Sequence, residues 1–468
     1  MSLKPPAYER AVVIGGSMNG MFVARALSEH FREVVVIEKD VLPRDKPEHR
    51  KGVHQSHHIH NLLLRGQQEI EALFPGFRDT ALALGAVPLD YTKSMAVRCE
   101  WGWSPTVESG IIGLSATRIL LEHAVRTRFR EQVENARLVE GTRVESLISE
   151  REGDAVRVVG VRTDSDDPSL SELRAALVVD CAGRGSRAPK WLSDMGLPAI
   201  EEEVVESHCA YSSRFFRAPG PDGHGGKGVI VDARFPDLPA WGALAPLEDN
   251  LYVLTLGGFN RYYPPTDEAG FTRYTEALMH PRIAQIIKQC EPVGPITMSR
   301  SMTMRWRHME RYPGKLTGYM LFGDSLWSYN PLYGQGMAIG SSVAGILRDE
   351  LRRDANLATL AKRLYTRGGK FARPYWDSTA LLDMRWPGTE GKRPLHLALA
   401  KRFGDIFMRA CYQDRVLYMA LMQIIHMLKP PTSLLRPSIL ARLAFAGIKL
   451  ALPARTVEDE PLRLPSAS

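Results

Sequence analysis

A chain of 468 residues, 44% apolar and 24% charged, has the makeup of a soluble globular protein with room for two or three domains. Its net charge of +7 comes without any run of five Lys or Arg, which argues for basic residues spread over surface helices and against a nucleic-acid partner. Five cysteines, an odd number without a CxxC pair, argue against a disulfide framework and a zinc site. No signal-peptide architecture is visible at the N-terminus, and the longest apolar stretch, Val416 to Leu428, is too short to span a bilayer, so the expected location is cytoplasmic.

In chain order, residues 11–15 read as a buried parallel strand, Met18 to Phe31 as a helix and Glu33 to Ile37 as a second buried strand, together a β-α-β unit. Lys39 to Gly52 is a charged loop, and His57 to Phe74 has the spacing of one amphipathic helix. Ser115-Ala-Thr-Arg118 opens another helix. Leu138 to Val144, Val156 to Arg162 and Leu177 to Asp180 read as strands. From about Glu201 to Ser301, aromatic-rich segments (Tyr211 to Phe216, Lys227 to Asp232, Leu251 to Gly257) predict a separate sheet, with helices near Glu268–Met279 and Arg282–Gln289. The strand Tyr319–Phe322 and the helix Gly334–Leu351 follow. From Phe371 the chain looks helical, with a Pro-rich stretch at Lys429–Pro437 and a polar tail at 456–468 that is expected to be disordered.

Three distant segments carry the chemistry. In Ala11-Val-Val-Ile-Gly-Gly-Ser-Met-Asn-Gly20, Gly15 permits the turn after the strand and Gly20 permits close helix–strand packing, which aims helix-terminal amides at a pyrophosphate. Ser17 stands where the dinucleotide fingerprint has its middle glycine. Glu38, 18 residues past Gly20, is placed to accept the ribose hydroxyls and disfavours a 2′-phosphate there. The second segment ends a buried strand at Asp180 and turns through Gly183, Gly185 and Arg187. The third places Asp324 after a strand, then Asn330-Pro-Leu-Tyr-Gly-Gln-Gly-Met337, where Gly334 and Gly336 open a helix that can offer amides to phosphate or to reduced flavin. A nicotinamide dehydrogenase has no need of the second and third segments, so together they point to FAD.

With these residues the chain resembles the FAD-dependent monooxygenases of the para-hydroxybenzoate hydroxylase fold over roughly residues 8–375. Within them it looks closest to the squalene-epoxidase-like and polyether-epoxidase-like branch, on Arg50-Lys-Gly-Val-His-Gln-Ser-His-His-Ile-His60, Asp180-Cys-Ala-Gly-Arg-Gly-Ser-Arg187 and Asn330 to Met337. The resemblance implies an α/β fold: a Rossmann-like FAD-binding domain in three parts (8–90, 114–200, 306–375) with a β-sheet substrate domain (91–113, 201–305). A helical region (376–455) and the tail (456–468) complete the chain. It implies that Glu38 binds the adenosine ribose, that Arg50 and Arg118 contact the diphosphate, and that Asp180 and Arg187 serve both FAD and NAD(P)H. Asp324 is expected at ribityl and pyrophosphate groups, and Pro331 through Met337 against the isoalloxazine.

The implied cycle has NADPH or NADH reduce FAD, O2 add at flavin C4a, and the hydroperoxide epoxidise or hydroxylate a lipophilic small molecule of secondary metabolism. No base motif stands out, so no catalytic side chain is assigned. The run His54, His57, His58, His60 is not assigned to a metal; His58 in contact with flavin or substrate, and plain structural capping, both stay open. Trp101-Gly-Trp103 resembles part of a halogenase motif but lacks its Ile-Pro, and as a strand would put both indoles on one pocket face. Tyr211, Phe215, Tyr252, Phe259 and Trp306 are the other candidates for an apolar substrate cavity, with ordinary core packing as the competing role. The basic, apolar C-terminal region, with no acidic residue between Lys429 and Arg455, is expected to cap the active site, and peripheral membrane contact is the second expectation. A partner reductase supplying the electrons, an FAD-dependent reductase of isoprenoid double bonds and a non-catalytic flavoprotein remain as alternatives.

Overall fold

The computed structural model describes residues 7–220, 223–300 and 302–450, without the side chains of 447–450. The expected tail 456–468 and residues 451–455 lie outside the described residues.

Five parallel strands form the central sheet, in the order Tyr319–Leu321, Leu177–Asp180, Tyr8–Ile14, Phe31–Ile37 and Ala136–Val139. Ala11, Val12, Val13, Val34, Val35 and Val36 are 0% exposed, because helices cover the sheet and both faces of each strand are apolar. All five strands run the same way, so their carboxyl ends share one edge, the edge at which parallel α/β sheets hold ligands. The helix Met18–Leu27 leaves the first strand there, packing on Gly336–Arg353 and on the N-terminal part of Arg118–Gln132.

A second sheet of seven strands has the order Glu291–Ser299, Ala210–Arg217, Leu251–Gly258, Ala240–Pro246, Gly228–Val231, Met95–Cys99 and Gly102–Trp103. Met95–Cys99 joins it by pairing parallel with Gly228–Val231. One face packs against the helices Glu268–Glu276 and Arg282–Ile287, with Phe216, Tyr252, Leu254, Phe271 and Ile283 buried between. The opposite face carries Tyr211, Ser213 and Phe215, since alternate strand residues point to opposite sides. Helices Leu357–Asp383, Leu397–Cys411, Arg415–Ile425 and Pro437–Leu450 close the chain.

Three expected elements differ. The single helix over His57–Phe74 is a short turn His54–His57, an extended stretch, and a helix only from Leu64 to Leu73. Tertiary bonds hold the stretch extended: the Ile59 amide donates to Thr255 Oγ1 at 3.2 Å, and Asn61–Leu62 pairs with Ser115 and Leu114. Leu138–Val144 is broken by Gly141 (φ +66), so one strand ends at Val139 and another begins at Val144. The long helix begins at Leu357 rather than near Phe371, because the Asn356 side chain accepts from the Ala358 amide and caps it.

Candidate active site

The three motif segments meet at the carboxyl edge. Gly15 has φ +102, and a Cβ on it would lie 2.7 Å from the Cys181 carbonyl oxygen; on Gly20 it would lie 1.8 Å from the Gly15 oxygen. Only glycine fits both places, so the first strand, the first helix and the Asp180 strand approach at backbone distance. Asn19 reaches across to the third segment, within 2.3 Å of where a Cβ on Gly323 would stand.

A buried charge network fills the centre of this edge. Ser17 caps the helix Met18–Leu27 by position, while its hydroxyl donates to Glu122 Oε2 (2.8 Å) and accepts from Arg118 Nη2 (3.0 Å). Arg50 donates to Glu122 at 2.9 Å and to Asp40 at 2.9 Å, and lies 3.3 Å from Glu38. Glu38 accepts from the Gly16 amide at 2.7 Å. Burial opposes ionisation of Glu122, yet Arg118 and Arg50 hold its carboxyl below the ordinary value. Burial lowers Arg118, with Glu122 opposing. Arg118 Nη1 lies 2.9 Å from Glu122 without hydrogen-bonding geometry, and Arg126 Nε also lacks a partner, so two buried guanidinium nitrogens keep unused donors. They border a pocket lined by Arg50, Arg118, Glu122 and Arg126. Glu122 is the chief residue the motifs missed. It lies one helical turn past Arg118, a spacing that was legible but read only as a helix face.

Asp180 is 0% exposed, and its carboxylate accepts from Ala182 N, Ser186 Oγ, Tyr319 OH and Ser325 Oγ. With these four internal donors it braces the second segment on the third and turns no oxygen toward the opening. Arg187 is exposed, stacked 5.8 Å over Trp191. Its neighbour Arg184 turns inward instead, 3.6 Å from Asp324 and donating to the Thr303 and Tyr329 carbonyls. Burial raises the Asp324 carboxyl, with Arg184 and Arg118 opposing. A second pocket runs from Asp324 to Gly336 and Gly340. Pro331 and Gly336 are exposed while Gly334 and Met337 are partly so; Gly334 takes φ +65 to end the Pro331–Tyr333 turn before the helix starts.

These residues fit a dinucleotide flavin. The two partnerless guanidinium nitrogens supply donors for a pyrophosphate, and a Cβ on Gly183, Gly185 or Gly336 would meet nothing within 4 Å, which leaves open surface along both glycine turns. The neutral hydroxyl of Ser17, already partnered by Arg118, adds no charge against phosphate.

The second sheet divides the substrate candidates. His58, Tyr211 and Phe215 share the face turned to the His49–Ile59 loop. His58 Nδ1 lies 2.8 Å from Ser213 Oγ, which lies 2.7 Å from Thr255 Oγ1, and the His58 ring meets Tyr211 edge-on at 4.5 Å. Burial pushes His58 down to about 3, with His60 and His57 adding to the effect. Tyr211 belongs to an aromatic cluster with Trp241, Phe259 and Trp386, against which Leu332 of the third segment packs. Tyr252 and Trp103 lie on the other face, in the core under the two helices. Trp101 and Trp103 do not share a face either: Gly102 (φ +115) turns the chain between them, sending Trp101 toward Tyr412 and Trp103 toward His280. Phe259 joins this cluster as expected, whereas Trp306 stacks on Trp327 in the main core; Trp241 and Trp386 were missed because they come from different elements. Among the described residues no group of three or more His, Cys, Asp or Glu is arranged to hold a metal ion.

No family model matches the chain. Protein Rv3254 of Mycobacterium tuberculosis is 33% identical over 424 residues, 87% of each chain. The 12-dehydrotetracycline 5-monooxygenase/anhydrotetracycline 6-monooxygenase of Streptomyces rimosus is 26% identical over 332 residues, 70% of this chain and 59% of that protein. Among solved structures, the flavin-dependent brominase Bmp2 has a TM-score of 0.64 at 14% identity, covering 95% of this chain and all of its own. For p-nitrophenol 4-monooxygenase PnpA of Pseudomonas putida the TM-score is 0.61 at 17% identity, over 90% and 98% of the two chains. For PqsL of Pseudomonas aeruginosa it is 0.59 at 16%, over 80% and 96%. The chain therefore has the para-hydroxybenzoate-hydroxylase-type fold of the flavin-dependent monooxygenases, and it belongs to the family of protein Rv3254.

Proposed function

We propose that this chain is an FAD-dependent monooxygenase of a lipophilic small molecule, with NADPH or NADH as donor and O2 as second substrate. The observation that carries the reading is the meeting of three distant segments at the carboxyl edge of the parallel sheet, beside buried arginines that each keep one nitrogen without a hydrogen bond. Held there by Arg118, Arg126 and Asp324, FAD would supply the redox chemistry that passes two electrons from the nicotinamide to O2, one oxygen atom going to the acceptor and the other to water.

The chain's own residues bind and orient. Arg118 and Arg126 offer donors to the pyrophosphate, Glu38 anchors the first turn, and Asp324 lies along the path toward the Pro331–Met337 strip. Tyr211, Trp241, Phe259 and Trp386 make a dry aromatic floor beside that strip, which suits a flat, apolar acceptor and excludes water from the site. A relative named for oxygenation of 12-dehydrotetracycline and anhydrotetracycline supports the same kind of acceptor. The product is an epoxide or a hydroxyl compound, and a place near the squalene- and polyether-epoxidases is part of this proposal. Electrons come directly from the nicotinamide rather than from a partner reductase.

Incubation with FAD, NADPH and ¹⁸O2 over a panel of polycyclic and polyene metabolites tests the reading. Incorporation of one ¹⁸O per product supports it. Alkene saturation without oxygen uptake supports an isoprenoid reductase instead, and reduction only after adding a separate reductase overturns the direct-donor part.

The C-terminal helices are proposed also to touch an anionic membrane surface. Leu399, Phe403 and Ile406 are exposed along one side of Leu397–Cys411, and basic side chains surround them. No helix of the described residues is long and apolar enough to cross a membrane, so the contact is peripheral.

A further inference from the structure

We propose that Asp383 is a positioning residue: its carboxylate locks the turn Asn330–Tyr333, and with that turn the strip that faces the flavin ring. The inference rests on the flavin reading above and adds a residue that none of the three motifs contains. Asp383 is the last residue of the helix Leu357–Asp383 and is 0% exposed. Asn330 Nδ2 donates to both of its oxygens, at 2.9 and 3.2 Å, and Tyr333 OH donates to Oδ1 at 2.7 Å. Asn330 is itself 0% exposed and accepts from the Leu332 amide, so the carboxylate and the turn form one rigid unit. Leu332 and Trp386 reach the aromatic floor from the two sides of this unit, so movement of the turn would reach the acceptor cavity as well.

Among the described residues no Lys or Arg pairs with this carboxylate. The groups facing it are Asn330 and Tyr333 from the turn, and Glu206, Ser207 and Cys209 from the segment before the Ala210–Arg217 strand. The Thr389 hydroxyl donates to its backbone oxygen. Burial pushes the carboxyl up to about 6 and Glu206 adds to this, against the hydrogen bonds from Asn330 and Tyr333. His58 at about 3 and His49 and His60 at about 4 stay neutral above pH 5, so they do not titrate with it. A buried carboxyl raised in this way costs stability when ionised above its folded value and nothing below its ordinary one. The hydrogen bonds from Asn330 and Tyr333, not the titration, carry the positioning role, and the titration supplies the way to read it out.

The test is FAD titration by fluorescence, between pH 5 and 8, on the folded wild type, Asp383→Asn and Tyr333→Phe, with melting curves alongside. Wild type should bind FAD about tenfold tighter at the upper end, the worth of one hydrogen bond to a charged group, with a midpoint near 6. Asp383→Asn should remove the step, and its melting temperature should rise relative to wild type as pH increases. Tyr333→Phe, which deletes one donor, should keep the step and move its midpoint upward. A step that persists in Asp383→Asn assigns it to another group, such as Asp324, and overturns the inference. So does a flavin-loaded wild type with no step. A folded wild type that takes up no FAD overturns the flavin reading itself, and this inference with it.

Discussion

Gly20 and His58 show how much a single position is asked to do here. A methyl group on Gly20 would fall 1.8 Å from the Gly15 carbonyl oxygen, which is backbone and has no room to yield. Gly20→Ala should therefore lower stability by about 1–3 kcal/mol and weaken FAD binding in the same variant. Urea unfolding and flavin fluorescence measure the two, and a variant equal to wild type in both would mean that the helix does not press on the turn. His58 makes a pH prediction with a definite sign. Its value falls from 6.5 to about 3 on folding, so the stability it contributes is complete above 6.5 and is lost as pH drops below that. His58→Gln should lessen the fall in melting temperature between pH 6.5 and 4, leaving the share that His49, His60 and His426, each lowered to about 4, add in the same direction. A melting profile parallel to wild type would contradict the burial of a neutral imidazole.

At the scale of elements, the helix Arg118–Gln132 is the link between the two sheets. Thr117 caps it by accepting from the Leu120 amide at 3.2 Å, and its amide and hydroxyl both donate to Glu248, which follows the Ala240–Pro246 strand. Thr117→Ala should cost about 1–2 kcal/mol through the lost cap, and Glu248→Gln should cost less in that background than in wild type, since the hydroxyl partner is gone and only the backbone amide still donates. Additive losses in a double-mutant cycle would show that the two do not act together. Ser115-Ala-Thr-Arg118 announced this helix in the sequence because capping is local. The β-α-β unit and the three glycine turns were legible for the same reason: each needs special backbone geometry within a few residues. The stretch from His58 to Leu63 misled, because its extended form depends on Thr255 and Ser115, far away in the chain. Arg184 and Arg187 sit at equivalent ends of one glycine turn, and only tertiary packing decides that Arg184 points inward. Asp383 lies outside every motif, and nothing local marks it.

For the whole molecule, charge is unevenly placed. Residues 391–450 hold ten of the 60 Lys and Arg but only two of the 53 Asp and Glu, so this segment carries +8 and the remainder of the chain −1. Both acids are engaged, Asp405 with Arg385 and Asp414 with Arg442. Nine of the 14 exposed large apolar side chains among the described residues fall between Leu395 and Phe445. Other members of the same helices, such as Phe407, Tyr418 and Met422, are buried together over Ile111, so the region caps the body and keeps an apolar, basic outer side. Cosedimentation with phosphatidylserine vesicles should be seen at low salt, fall with added salt, and be lost in Leu399→Asp/Phe403→Asp. Equal binding to phosphatidylcholine, or none to either, would contradict the membrane proposal while leaving the flavin site untouched. That site is the centre of the account, and it is reached most directly by titrating FAD into the purified, folded chain. One FAD per chain should be retained, with the visible absorption of an enclosed flavin. A folded protein that stays colourless at saturating FAD would contradict the claim that its three glycine turns form one binding site.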